Sequence, residues 1–159
     1  GERGTKRLQK KFQRLAASID FRKRTALMTR IGIQLMNAVA KNFKEEAHEG
    51  EPWAPHSGKT ISMRRKGTSR SRAAAKRSGT SRPRLLQDTG NLRRSFVKRQ
   101  SVDWVSVGSP VEYAPTHEYG SRKLNIPRRK MLPSTEYALK MAIKTTEAYI
   151  TDIIKGERL

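Results

Sequence analysis

Cysteine is absent from the 159-residue chain, which excludes disulfide stapling and every thiolate metal site and fits a reducing compartment. No apolar run approaches the ~18–20 residues needed to span a bilayer, and Gly1-Glu2-Arg3-Gly4 opens no signal-peptide hydrophobic region, so a soluble protein with no membrane partner is predicted. Acidic residues are scarce: 14 Asp and Glu stand against 35 Lys and Arg, for a formal net charge of +21. Charge of that size opposes compaction by self-repulsion and draws the chain to polyanions or acidic protein faces. Catalytic signals are also missing. His48, His56 and His117 fall in separate predicted loops or turns, without an H-E-x-x-H spacing or a neighbouring carboxylate pair, and read as solvated or turn-capping. Asp88, His56 and a serine would make a triad without a nucleophile elbow or an oxyanion loop. Gly108-Ser109-Pro110 has neither the Lys-Ser/Thr pair nor the helix start of a phosphate loop. The expectation is a protein that is not an enzyme and needs no cofactor or metal.

What the chain does have is a concentrated run of cations. From Lys59 to Arg84 there is no Asp or Glu, while Lys59, Arg64, Arg65, Lys66, Arg70, Arg72, Lys76, Arg77, Arg82 and Arg84 sit among Ser, Gly, Thr and Ala. Such a stretch cannot bury enough apolar surface to offset the entropy of ordering itself, so residues 56–85 are predicted to form an extended basic arm that needs a partner. Three readings stand. The arm lies along nucleic-acid phosphates, with Arg64, Arg65, Lys66, Arg70 and Arg72 as candidate DNA contacts; or it enters acidic grooves of a neighbouring subunit; or it is a solvated loop.

Around the arm the periodicities predict an α+β fold. In the basic N-terminal segment 1–20, Leu8, Phe12, Leu15 and Ile19 recur at helical spacing and predict an amphipathic helix over 5–18. Asp20 is a plausible N-cap for a second helix to about Glu46, carrying Leu27, Ile31, Leu35, Ala38 and Val39 on one stripe and ended by Gly50 and Pro52. A hairpin pairs Phe96–Gln100 with Trp104–Gly108, Val105 and Val107 sharing a face. Val111–His117 reads as a helical turn broken at Gly120, and Leu124–Ile126 as a short strand. A third long helix starts at the N-cap Ser134 and turns Ala138, Met141, Ala142, Thr145, Ala148, Tyr149 and Ile153 inward. Ala73–Ala75 is able to support a short helix within the arm. Trp53, between Pro52 and Pro55, suits either a contact with another subunit or the closure of the long helix against a sheet. Tyr113 and Tyr119 bracket His117; turn packing, with Tyr113 largely buried, is preferred over a base-stacking platform.

Several short motifs in order then resemble a known pattern: Phe43 and Glu46, Gly50-Glu51-Pro52-Trp53-Ala54-Pro55, Leu86-Gln87-Asp88-Thr89-Gly90-Asn91-Leu92 with Ser95, Val107-Gly108-Ser109, Tyr113-Ala114-Pro115-Thr116-His117-Glu118-Tyr119-Gly120 and Ile126-Pro127-Arg128-Arg129. Across about residues 27–156 the chain resembles the phage virion morphogenesis, or tail completion, family. The resemblance implies a single domain over 1–159, with a small antiparallel sheet packed on long N- and C-terminal helices. It implies a structural protein at the head-proximal end of the tail, assembled in the host cytoplasm into a hexameric ring that contacts the tail tube and head–tail connector proteins. It also implies that Trp53 and the ten cations from Lys59 to Arg84 touch a neighbouring subunit or neck protein. His56, after Trp-Ala-Pro, and Lys130-Met131-Leu132, after Ile-Pro-x-Arg, depart from the family pattern. A small basic protein that binds nucleic acid without sequence preference is the alternative.

Overall fold

The computed structural model describes residues 2–17, 21–66 and 84–156. Its elements are, in order, α1 (Glu2–Ala17), α2 (Phe21–Glu45), β1 (Ala47–His48), β2 (Glu51–Pro52), α3 (Gly58–Lys66), α4 (Asn91–Arg94), β3 (Val97–Gln100), β4 (Val105–Gly108), α5 (Ala114–Tyr119) and α6 (Thr135–Gly156). The fold is α+β, with the strands in two separate two-stranded antiparallel pairs, β1–β2 and β3–β4. The chain divides into two compact units: residues 1–38, 97–107 and 133–159, and residues 39–96 and 108–132.

In the first unit α1 runs alongside α6, and the amphipathic stripe of α2 supplies the core. Leu27, Met28 and Ile31 are buried with Ala142 and Tyr149, and Leu35, Val105, Ile150 and Ile153 pack against them. Fully burying side chains of this size contributes about 1.5–3 kcal/mol each. Ser134 caps α6 as expected, its Oγ accepting the Tyr137 amide at 3.2 Å. The inward face of α6 is shifted from the expectation: Ile143 and Thr146 are buried, and Ala148 is exposed. Thr146 is accommodated because its hydroxyl donates back to the Ala142 carbonyl at 2.7 Å, so no polar group is stranded. Tyr149 likewise places its hydroxyl on the Lys23 carbonyl at 3.0 Å, while Arg30 lies over its ring at 4.7 Å. At the exposed start of α6 a hydrogen bond and the charge of Lys140 hold the Glu136 carboxyl below the usual carboxylate range. That small contribution is present above the ordinary carboxylate range and fades as pH falls through the lowered value. Among the described residues, no helix is long and apolar enough to cross a membrane.

The β3–β4 pair lies directly on α2. A methyl group at Gly32 would collide with the Lys98 stem and come within 2.9 Å of Val105 Cγ2, so this helical glycine is set by close approach.

The second unit is built on the end of α2, and Phe43 is its hub. Phe43 is fully buried, with Trp53 edge-on at 5.4 Å and Phe96 at 5.7 Å. Instead of stopping at a loop, the chain after α2 makes a tight hairpin, pairing Ala47 with Pro52 and His48 with Glu51. Both turn residues, Glu49 and Gly50, take positive φ (51° and 93°), the geometry of the two-residue turns that match strand twist. The pairs are too short for a hydrophobic alternation to announce them. Leu124–Ile126 is a turn, not a strand: Leu124 is exposed, Asn125 has φ 51°, and Ile126 alone bridges back to Ser121. The side chains of Phe12, Leu15 and Ile19, and Ala73–Ala75, lie outside the described residues.

Gly32→Val is expected to lower stability by about 1–3 kcal/mol in urea unfolding, because the crowding at Val105 outweighs the gain in helix propensity. A variant as stable as the parent would show that the β3–β4 pair has room to withdraw.

Candidate functional site

Residues 129–132 of the second unit form a strap whose main chain is satisfied chiefly by side chains. The Trp53 indole donates to the Lys130 carbonyl (2.8 Å) and Asn42 Nδ2 to the Met131 carbonyl (3.0 Å). His48 Nε2 lies 3.0 Å from the Leu132 carbonyl; since a carbonyl only accepts, that nitrogen carries the proton. Glu118 Oε2 accepts both the Met131 and Leu132 amides, at 2.7 and 3.2 Å, and the Arg129 amide reaches the His117 carbonyl at 2.8 Å. In return Arg129, 6% exposed, donates from Nε to the Ala54 carbonyl (2.8 Å) and from Nη2 to that of Pro55 (3.0 Å).

This strap fixes the point where the basic segment leaves. Trp53, Ala54 and Pro55 are held by it, and His56 Nε2 then meets the Arg84 carbonyl at 3.4 Å, where the segment returns. On the return side the Leu85 amide donates to Glu46 Oε1 at 2.8 Å, Leu85 and Leu86 are buried, and Gln87 Nε2 bonds the Phe43 carbonyl at 2.9 Å. Both roots of the segment therefore sit on one scaffold.

The segment's first part is helical, which corrects the expectation of an extended arm from residue 56 onward. Ser57 begins α3, its Oγ accepting the Thr60 amide at 3.2 Å, and Lys59 to Lys66 contain no Gly or Pro to stop a helix before Gly67. Lys59 is exposed on α3, and Arg84 is exposed at the return. Arg64, Arg65 and Lys66 form its last residues, their side chains outside the described set, as are Arg70, Arg72, Lys76, Arg77 and Arg82 altogether. Trp53 is buried within its own chain, in the helix-closing position that the sequence allowed.

Two expectations about the loops are corrected. His48 is buried and bonded to the strap instead of solvated or capping a turn. Tyr113 is 45% exposed and Tyr119 71% exposed, because α5 is too short to bury more than Ala114. Asn42, His48 and Glu118 as partners of the strap escaped the sequence reading; long-range pairing of side chain to main chain leaves no local pattern.

A family model of the phage virion morphogenesis family matches residues 4–151. The chain belongs to that family. The match takes in α1, ahead of the motifs that carry the resemblance, and membership assigns the protein a part in building the virion. No curated protein matches the chain, and no solved structure does. Within this virion protein, residues of the motifs that carry the resemblance meet at the strap: Arg129 holds the Ala54 and Pro55 carbonyls, and its amide reaches the His117 carbonyl. A further motif pair, Ser95 and Ser109, is joined at 2.6 Å; Ser95 donates to the Leu92 carbonyl (2.7 Å), so Ser109 donates to Ser95 while accepting the Val111 amide (3.2 Å).

Arg129→Lys is expected to cost about 1.5–3 kcal/mol by urea unfolding, because an ammonium cannot reproduce the fork to two carbonyls. Tyr113→Ala, at a site that is nearly half open, is expected to cost less than about 1.5 kcal/mol, well short of the ~3–5 kcal/mol of a buried aromatic; a loss of that larger size would place the ring in the core after all.

Proposed function

We propose that this protein completes the tail at its head-proximal end and joins it to the head, as a subunit of a homo-oligomeric, hexameric ring. The family match over nearly the whole chain is the observation that carries this reading. In it, the basic segment Lys59–Arg84, its exit braced by the strap and its return held on the end of α2, docks on the next subunit or on a tail-tube or connector protein, bringing cations to an acidic face. Self-repulsion at +21 favours partners that neutralise it, and the two fixed roots reduce the entropy that docking would otherwise cost. The working place would be the neck of the virion, reached by assembly in the host cytoplasm, and the work would be docking without bond chemistry.

Cells infected without this protein are expected to accumulate DNA-filled heads and separate tails by electron microscopy; normally joined virions would refute the assignment. Because the roots already meet, replacing Lys59–Arg84 with a short Gly-Ser linker is expected to remove the helical signal of α3 by circular dichroism and keep the thermal transition, while abolishing the ring in size analysis. Global unfolding of that variant would make the segment part of the core.

A further inference from the structure

The second unit carries an open groove of about 910 Å³, lined in part by side chains that the bracing does not use. Tyr113 and Tyr119, the two exposed rings at either end of α5, line it, together with Arg122 and Arg128. Tyr113 is steadied by its hydroxyl, which accepts from Asn91 Nδ2 at 3.3 Å, and by an edge-to-face contact with His117 at 6.0 Å. Arg128 is steadied through Nε on the Glu118 carbonyl at 3.3 Å, and both Arg122 and Arg128 are exposed. Two open aromatic faces beside exposed guanidiniums suit a ligand that is flat, stackable and anionic at once. Ser57 and Thr60 also line the groove, which puts the root of the cation-rich segment at its wall.

We propose that this groove binds a single strand of nucleic acid, bases against Tyr113 and Tyr119 and phosphates on Arg122 and Arg128. Base access decides against a duplex: paired and stacked bases hide the faces that the tyrosines would meet. An acidic peptide would satisfy the arginines and leave the rings unused. The assignment does not depend on the tail-joining role.

The test uses the full chain and a short fluorescein-labelled oligo-dT strand, free or annealed to oligo-dA, followed by anisotropy over a range of salt. Tyr113→Ala and Tyr119→Ala are each expected to weaken binding of the free strand about fivefold or more, with duplex binding unchanged. Tyr119→Phe, which keeps the ring, is expected to bind as the parent does. The double variant Arg122→Gln/Arg128→Gln is expected to flatten the log–log salt slope by about 1.4, at ~0.7 per phosphate on a single strand. Parental affinity in both alanine variants would assign all binding to the basic segment and overturn the proposal. So would displacement of the strand by poly-glutamate at equal charge, which would make the groove a peptide site; thermal melting of each variant separates these outcomes from misfolding.

Discussion

The second unit depends on how four consecutive residues, Arg129 to Leu132, satisfy their main chain without a neighbouring strand. A buried carbonyl or amide left unpaired costs about 1–3 kcal/mol, and the strap has several. Asn42, His48 and Glu118 meet them from three different elements and Trp53 from just after β2, so the strap is stable only when the end of α2, the β1–β2 hairpin and α5 are all in place. Removing any one partner strands a group that the others cannot reach. The constraint is cooperative, and through Arg129 it ties together residues far apart in sequence, Ala54 and Pro55 on one side and His117 on the other. Arg129 then carries the order outward, converting a well-held strap into a well-held exit for the cation-rich segment.

The first unit is held differently. Its ion pairs, among them Arg24 with Asp103 at 3.0 Å and Arg30 with Asp152 at 2.9 Å, are half-buried to exposed and contribute little each. Stability there comes from the apolar cluster around Leu27 and from the close seat of the β3–β4 pair on Gly32. Arg30 shows how a chain so rich in cations avoids spoiling that core: its charge stays at the surface while its guanidinium covers the ring of buried Tyr149.

What was legible in the sequence was whatever repeats locally. The stripe from Leu27 to Val39, the Ser134 cap and the alternating Val105 and Val107 are periodic or positional signals, and the helices and hairpin stand where those signals put them. The ordered motifs led to the family that the chain proves to belong to. Illegible were the β1–β2 pair, too short to alternate, and the turn at Asn125, where a bridge replaces the strand that Leu124–Ile126 suggests. The exposure of Tyr113 is equally illegible, because its neighbours Pro110 and Gly120 mark a turn but say nothing about which side of it faces water. Within the site, Trp53 and Arg129 stood out by residue type, whereas Asn42 and Glu118 look like ordinary helix and turn residues until the fold brings the strap to them.

The same physics bears on how so basic a chain serves an assembly. Positive charge by itself is indiscriminate, since any polyanion releases counterions on contact and any acidic protein face is attractive. Discrimination has to come from shape and from groups that are not merely charged. Here the charge is concentrated in a segment whose roots are immobilised, while directional chemistry, in the form of tyrosine faces and hydrogen-bonded arginines, sits beside one root. In the proposed docking, fixed roots would confine the segment's attraction to a restricted surface instead of the whole surroundings. Rigidity in the strap would thus be the step by which that docking turns a large net charge into selective contact.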